Sequence, residues 1–470
     1  MKKAVPFIGF SIFLIIGVTI GVTKMFTPEL DAQGHNVVMM LMIVFGLWIF
    51  KPLNIPSAAS AGLFAASLLA FGVAPSVTFA GFSGNTVWVL IPALFFGYVL
   101  AKTGLGRRIA YFVLKSVKLT YPRMLLLWLI IGVALSILTP SMVVRVIIVI
   151  PIALQVVQLC QLPEGSKGRS LILITAWFMA IIPGLCWPNG SLNGPILMGF
   201  YSSVPDLVPF DFASWTQVSF LPVGLIVLLT VIGAYFVLKP SEKLTVSKAT
   251  FVEEYQKLGK MSRDEIITAI VLVAAFLLFV SESIHHIPAA ATCLCSLFAL
   301  VAAGVVKASE FSSGISWDLV IFQGTATGLG TIFAATGISA WLSSIFMKII
   351  APLTVSPWVL VFVVLIAMFI WRFVDIAIFV PTMAIVTAIA PEMFASFGIN
   401  PYLWIPLLNI AFGSFFLSYT NMFALAAETN MAGKGWASKH LTTYGVVYFV
   451  ASLITMLVAI PYWVSIGMFG

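Results

Sequence analysis

Residues 183–195 read Pro183-Gly184-Leu185-Cys186-Trp187-Pro188-Asn189-Gly190-Ser191-Leu192-Asn193-Gly194-Pro195. Three Pro, three Gly and two Asn fall within thirteen residues, with apolar runs on both sides. Such a cluster cannot continue a helix, because proline lacks an N–H and glycine has no side chain to restrict its backbone. Inside a membrane, the backbone groups so freed are tolerated only where the chain is buried in protein or lines a cavity. The stretch therefore reads as a membrane helix broken at depth.

The whole chain agrees with a membrane setting. It has 470 residues, 61% hydrophobic and 9% charged, with a mean hydropathy of +1.12. That composition excludes a soluble enzyme, a disordered binder and a disulfide-stapled secreted domain. A span needs about 20 apolar residues. Spans are expected at 5–23, 36–53, 57–74, 86–101, 217–238, 264–281, 288–306, 318–340, 403–420 and 442–465. The regions 122–204 and 356–392 are more complicated, and each is expected to hold a re-entrant hairpin with partial spans. Lys2-Lys3 precede an apolar stretch without a small-x-small cleavage pattern, which reads as an uncleaved first helix. Cys160, Cys186, Cys293 and Cys295 lie in apolar surroundings and read as free thiols.

The net charge of +8 reflects topology rather than nucleic-acid binding. With a cytoplasmic N-terminus, twenty of the twenty-four Lys and Arg fall in inside segments. These include Lys2, Lys3, Lys118 and Lys243, while Asp206 and Asp211 mark an outer loop. Residues 102–123 carry six bases and no acid, with Ile109, Phe112, Val113 and Val117 near helical spacing, as in an amphipathic surface helix. Arg145 and Arg372 are left inside apolar sequence.

Three features recur in order. Thr103-Gly104 and Thr336-Gly337 stand 233 residues apart. Thr139-Pro140-Ser141 with Arg145 corresponds to Trp371-Arg372-Phe373 with Asp375, about 230 residues on. Gly190-Ser191-Leu192-Asn193 corresponds to Ser418-Tyr419-Thr420-Asn421 at an offset of 228. A duplicated unit follows, inverted if each copy crosses the membrane an odd number of times. The expected division is 1–35, a first helix and outer loop; 36–238, the first repeat; 239–263, a cytoplasmic linker; and 264–470, the second repeat. Hairpins fall near 122–158 and 356–392, and broken helices near 171–204 and 403–430.

Corresponding interruptions in the two copies of a transporter point to its binding site. Broken helices present free N–H groups and a positive dipole end, suited to an anion. Intramembrane charges are costly and usually functional. Arg145, Arg372 and Asp375 allow two arrangements: an ion pair of Arg145 with Asp375, or a guanidinium binding substrate while Asp375 exchanges a proton or holds the empty site. Ser141, Arg145, Asn193, Arg372 and Asn421 are the first candidates for substrate contact, with Ser191, Thr420 and Asp375 next. Trp187 and Trp371 are candidate cavity walls. The site is expected to open onto a water-accessible chamber.

These residues resemble the divalent anion:sodium symporter family, over most of residues 30 to 465. The resemblance rests on Gly81-Phe82-Ser83 through Thr86-Val87-Trp88 to Lys102-Thr103-Gly104-Leu105-Gly106-Arg107-Arg108, on Thr139-Pro140-Ser141 with Arg145, and on Ser316-Trp317-Asp318 leading to Ala335-Thr336-Gly337. It implies an all-α polytopic membrane protein of about eleven transmembrane helices, with two re-entrant hairpins in an inverted repeat. It further implies a homodimer, an elevator-like movement and no enzymatic activity. Family members carry Ser-Asn-Thr at each hairpin tip for carboxylate and sodium. Here Met142 and Val143 replace Asn and Thr, and the second tip reads Trp371-Arg372-Phe373. Those changes remove hard oxygen ligands, so the family's sodium dependence is not carried over.

The resulting expectation is an inner-membrane permease for di- or tricarboxylates or other small divalent anions, with its N-terminus inside. It would work as an exchanger, a uniporter or a proton-coupled carrier, without metal or cofactor. The rivals are a cation/proton antiporter using Asp375 and, further off, an intramembrane enzyme. The two buried Arg argue against the first, and the lack of paired catalytic groups around His285-His286 argues against the second.

Overall fold

The computed structural model describes residues 5–469 apart from 53, 117–119, 203–210, 243, 245–247, 351–355, 374 and 376–379. Lys2, Lys3, Val117, Lys118, Asp206 and Lys243 lie outside the described residues. Among the described residues the architecture is all-helical, and eight helices are long and apolar enough to cross a membrane.

The first half contains α1 (Val5–Thr23), α2 (Ala32–Phe50), α3 (Ser57–Ala70), α4 (Asn85–Thr103) and α5 (Leu105–Leu114). It continues with α6 (Tyr121–Leu138), α7 (Met142–Leu159), α8 (Lys167–Ile181), α9 (Asn193–Ser202) and α10 (Phe212–Leu238). After α11 (Lys248–Lys257) come α12 (Arg263–Val280), α13 (Ala289–Ala302), α14 (Trp317–Thr327), α15 (Leu329–Ala335) and α16 (Ile338–Ile350). Then follow α17 (Pro357–Trp371), α18 (Val380–Ser396), α19 (Trp404–Phe412), α20 (Met422–Met431) and α21 (Ser438–Ser465). The lengths of α3 and α9 equal those of α13 and α20, and α10, the long helix of the first half at 27 residues, has its match in α21 at 28.

The recurring Thr-Gly pair has a local cause. Gly104 and Gly337 take φ of +81° and +72°, a left-handed conformation that ends α4 and α15 and starts a new helix at once. Side chains fix other starts. Ser141 caps α7, Ser166 caps α8, and Ser356 caps α17, each accepting a backbone N–H of the first turn.

The halves are interleaved rather than adjacent. α3 packs on α14 while α4 packs on α13; α7 packs on α20 while α9 packs on α18; and α10 packs on α21. Gly81 brings the halves together at backbone distance, since a Cβ there would lie 2.0 Å from the Gly324 carbonyl.

Several expected spans are shorter or bent. The segments at 57–74 and 288–306 form helices of 14 residues each, about 21 Å long at 1.5 Å per residue. Pro56 and Pro288 precede them, and Gly72 and Gly304 follow with positive φ. The span at 318–340 divides into α14 and α15 and then turns by 81° into α16. In the region 403–420, α19 has nine residues.

The amphipathic helix is α5, but its buried face differs from the expected one. Leu105, Arg108, Tyr111 and Leu114 point inward, whereas Phe112 is exposed. The reason is Glu265, which pairs with Arg108 at 2.7 Å and 3.1 Å. The carbonyl of Gly259 adds a third bond at 2.9 Å. Within the linker, α11 folds back onto α5 and buries Phe251.

Candidate functional site

α6 and α7 are joined through Thr139-Pro140-Ser141, the expected first tip. Thr139 Oγ1 accepts from Ser141 N at 3.1 Å, and Ser141 Oγ accepts from Val144 N at 3.4 Å. Both hydroxyl oxygens therefore shape the turn. A Cβ on Gly97 of α4 would stand 2.9 Å from Ser141 Cβ, so α4 lies directly against this tip.

One turn into α7, Arg145 is fully buried. Its Nη2 donates to the Gly190 carbonyl at 2.7 Å, while Nε and Nη1 have no hydrogen-bond partner. No carboxylate forms a salt bridge with it among the described residues. The guanidinium rests on bare backbone: a Cβ on Gly184 would meet Gly190 O at 2.1 Å and Arg145 Nη1 at 2.6 Å.

The break itself matches the quoted sequence. α8 passes into 3-10 turns at Ile182–Cys186 and Pro188–Gly190, and α9 begins at Asn193. Trp187 is buried and its indole N–H reaches the Ser136 carbonyl at 3.4 Å, holding the break to the hairpin. Ser191 Oγ is buried without a partner. Asn193 Nδ2 donates to Asn409 Oδ1 in α19 at 3.1 Å, joining the two broken helices, and the amide nitrogen of Asn409 has no partner.

The second half has its own buried arginine and its own break. Arg372 follows α17, donates from Nη1 to the Asp375 carbonyl and lies 5.8 Å over the Phe412 ring, at the end of α19. The carboxylate of Asp375 accepts from Thr382 Oγ1, and that oxygen accepts from Trp371 Nε1 at 2.8 Å. The second break runs through a 3-10 turn at Ser418–Thr420. Thr420 Oγ1 donates to the Leu417 carbonyl at 2.7 Å. Asn421 caps α20 by accepting from Phe423 N at 3.0 Å and Ala424 N at 3.3 Å, and it donates to the Ser414 carbonyl at 3.2 Å.

The structure thus gathers Ser141, Arg145, Ser191 and Asn193 at the first break, and Arg372, Asp375, Thr420 and Asn421 about the second. Arg145 is hydrogen-bonded to backbone and not to Asp375, which turns instead to Thr382 and Arg372. Trp187 is a wall inside the protein, whereas Trp371 is 46% exposed.

The expected water-accessible chamber is not open. Arg145 and Arg372 are 0% and 1% exposed. A cavity beside the first tip, lined in part by Pro140, Asn189 and Pro195, measures about 10 Å³, room for about one water. Tight packing of glycine backbone around the guanidinium closes the site.

Sequence reasoning missed Asn409 and Glu428. Glu428 accepts from Ser418 Oγ at 2.6 Å and Trp436 Nε1 at 2.7 Å, tying the second break to the loop after α20. Asn409 gave one signal, a lone amide within the apolar run Ile405–Phe412.

Helical spans, a broken-helix core and a buried arginine define a polytopic membrane protein of the transporter type. Residues 7–469 match the family described as the sodium:sulfate symporter transmembrane region, so the chain belongs to the sodium:sulfate symporter family, the group its motifs resemble. The chloroplastic dicarboxylate transporter 1 of Spinacia oleracea is 25% identical over 378 residues, covering 76% of this chain and 64% of that protein. The putative malate transporter YflS of Bacillus subtilis is 23% identical, covering 75% and 74%. The citrate/succinate antiporter of Escherichia coli is 26% identical, covering 56% and 55%. The match to the first of these relatives falls just short of two thirds of its length. In fold, the chain is similar to the YdaH transporter of Alcanivorax borkumensis, with a TM-score of 0.54 at 14% identity over 86% of this chain and 90% of that one.

Proposed function

We propose that this chain is a secondary transporter of small organic anions, with di- or tricarboxylates as its substrates. The observation that carries the reading is Arg145: a fully buried guanidinium with two nitrogens unpartnered and no salt bridge among the described residues. A charge held so far from water is costly unless something neutralises it. A carboxylate supplies the negative charge and accepts the unused N–H groups, and its bonds to a guanidinium are charge-assisted. Ser191 Oγ and the Asn409 amide, also unpartnered, are neutral donors for the same anion. Relatives named for dicarboxylates, malate and citrate/succinate support this substrate class.

A dicarboxylate cannot reach a fully buried Arg145 unless the protein moves. Alternating access is therefore part of the proposal, in elevator form, with an inverted repeat and re-entrant hairpins near 122–158 and 356–392. The same proposal includes a homodimer in the inner membrane with the N-terminus inside. Sodium is dispensable in this reading, because Met142 and Val143 bring no oxygen to the first tip.

Purified protein in proteoliposomes tests it. Saturable uptake of radiolabelled succinate, malate or citrate in sodium-free medium is the expected result, either by exchange or driven by a pH gradient. Strict dependence on sodium would refute the coupling proposal, and absence of any carboxylate flux would refute the substrate class.

A further inference from the structure

A buried site holds a charged solute best when the two together carry no net charge, because a charge left over has neither water nor a partner. Around the first break the count of uncompensated charge is one. Arg145 is the sole charged residue of α7 and forms no salt bridge among the described residues. The neighbouring elements add no second charge. α9 starts at the break, α10 packs on its first 3-10 turn and α19 meets it through Asn409, and none of the three contains Asp, Glu, Lys or Arg. Arg123 stands at the start of α6, at the opposite end of that helix from the tip, and Lys167 and Arg169 stand at the start of α8, at the opposite end from the break.

The other charges on helices packed against α7 are engaged elsewhere. Lys102, in the last turn of α4, pairs with Glu310; on α5, Arg108 pairs with Glu265 and Arg107 lies 5.6 Å over the Tyr111 ring. Glu428 of α20 accepts from Ser418 and Trp436. Cys186 in the first 3-10 turn and Tyr201 in α9 are groups that ordinarily ionise above neutral pH. The helix starts are occupied as well: Ser141 accepts a first-turn N–H of α7, and Asn421 accepts two of α20. In the second half Arg372 feels the charge of Asp375, so that pair adds nothing net. What remains at the first break is neutral: the Ser191 hydroxyl, which can donate or accept, and the Asn409 amide nitrogen, both buried without a partner.

We infer that the first break takes its substrate as a monoanion, with one carboxylate on Arg145 and the second carboxyl protonated, its O–H accepted by Ser191. The inference rests on the transport reading above and names the charge state in which that substrate is bound. A second carboxylate brought into the same site has no second cation to meet, and both desolvation and the first carboxylate favour its neutral form. One proton then enters with each dicarboxylate and leaves with it on the far side, so carboxylate movement is coupled to pH through the substrate's own acid rather than an acid of the protein.

The test is thermal unfolding of the purified full-length chain in neutral detergent and sodium-free buffer, reading the ligand concentration that gives half the maximal shift. Three probes are compared between pH 6.5 and pH 8.0: succinate, and two compounds that stay monoanions throughout, succinamate and monomethyl succinate. The monoanion share of succinate falls about 30-fold over that interval, so its half-saturating concentration should rise by the same factor. Succinamate, whose amide imitates the shape of a protonated carboxyl, should bind equally at every pH, and monomethyl succinate serves as a second monoanion should the amide be refused. Arg145→Ala should lose the response to all three. A succinate response that is flat or strengthens with pH would overturn the inference, as would refusal of both monoanions. Monoanions that weaken in parallel with succinate would overturn it too, by marking a titrating group of the protein. In each of these cases a succinate response that Arg145→Ala abolishes leaves the transport reading standing. Silence from all three probes overturns the inference as well, and malate and citrate run alongside decide whether the transport reading falls with it.

Discussion

Arg145 and Arg372 stand at comparable breaks in the two halves, but they are neutralised differently. Arg145 has the Gly190 carbonyl and two unpartnered nitrogens, whereas Arg372, bonded to the backbone carbonyl of Asp375, also feels the charge of the Asp375 carboxylate and faces the ring of Phe412. One half holds a net positive charge in the dark of the protein, and the other holds a charge with its counterweight. In the proposed reading the two arginines have two chemistries: an anion-binding arm in the first half and an internally balanced one in the second.

The sharpest way to break this comparison is to remove each arginine. Arg145→Ala should lower carboxylate uptake on the order of 100-fold, since charged hydrogen bonds worth about 3 kcal/mol are lost. It should leave the ligand-free unfolding temperature unchanged or higher, because an uncompensated buried charge disappears. Arg145→Lys should not rescue, as a point charge cannot reproduce the planar fork. Arg372→Ala should do the opposite in stability, costing on the order of 3 kcal/mol by stranding Asp375, with recovery in Arg372→Ala/Asp375→Asn. Equal stability changes in the two single variants would end the comparison.

The breaks themselves differ next. Gly184→Ala should cost about 1–3 kcal/mol, because its Cβ meets the Gly190 carbonyl at 2.1 Å, an atom that cannot yield. Gly413→Ala meets the ends of Tyr448 and Ile182 side chains at 2.6 Å and 2.7 Å, which can move, and should cost less. Urea or thermal unfolding of both variants ranks them. A reversed order would show that the second break is the stiffer one.

A smaller contrast concerns the asparagines. Asn421→Ala removes the cap of α20 and should cost about 1 kcal/mol in unfolding. Asn193→Ala and Asn409→Ala should each weaken carboxylate binding, with a coupling of about 1 kcal/mol in a double-mutant cycle on the ligand-induced thermal shift.

The smallest expected effect is at the aqueous end of α4. Lys102 holds the Glu310 carboxyl down to about 2 through its hydrogen bond, assisted by the Lys307 backbone N–H. A depressed carboxyl adds stability above the ordinary carboxylate range and loses it as pH falls towards about 2. The unfolding temperature should therefore decline between pH 5 and pH 3, and Glu310→Gln should flatten a minor part of that decline, as exposure screens the pair.

Proline, glycine and asparagine announce a break wherever they cluster, which is why the interruption at 183–195 and the short helices after it were legible without coordinates. The buried arginines were legible for a similar reason, since a base inside an apolar run has nowhere to hide. What sequence could not reveal was partnership. Arg108 reads as one more surface base until Glu265, far along the chain, is seen to turn it inward. Asn409 is a single polar letter in an apolar helix, and its value depends on Asn193 arriving from the other half. Closure of the site was equally invisible, because it follows from glycine backbones meeting at 2.1 Å in projected Cβ distance rather than from residue type.

The reciprocal leaning of α7 on α20 and of α9 on α18 makes the two copies dependent on one another. Severing the polypeptide between 239 and 263 would produce two fragments, each with a returning hairpin arm whose bed belongs to its sibling. Such fragments should regain activity only when synthesised together, as two hands of one clasp, and neither should persist in the bilayer by itself.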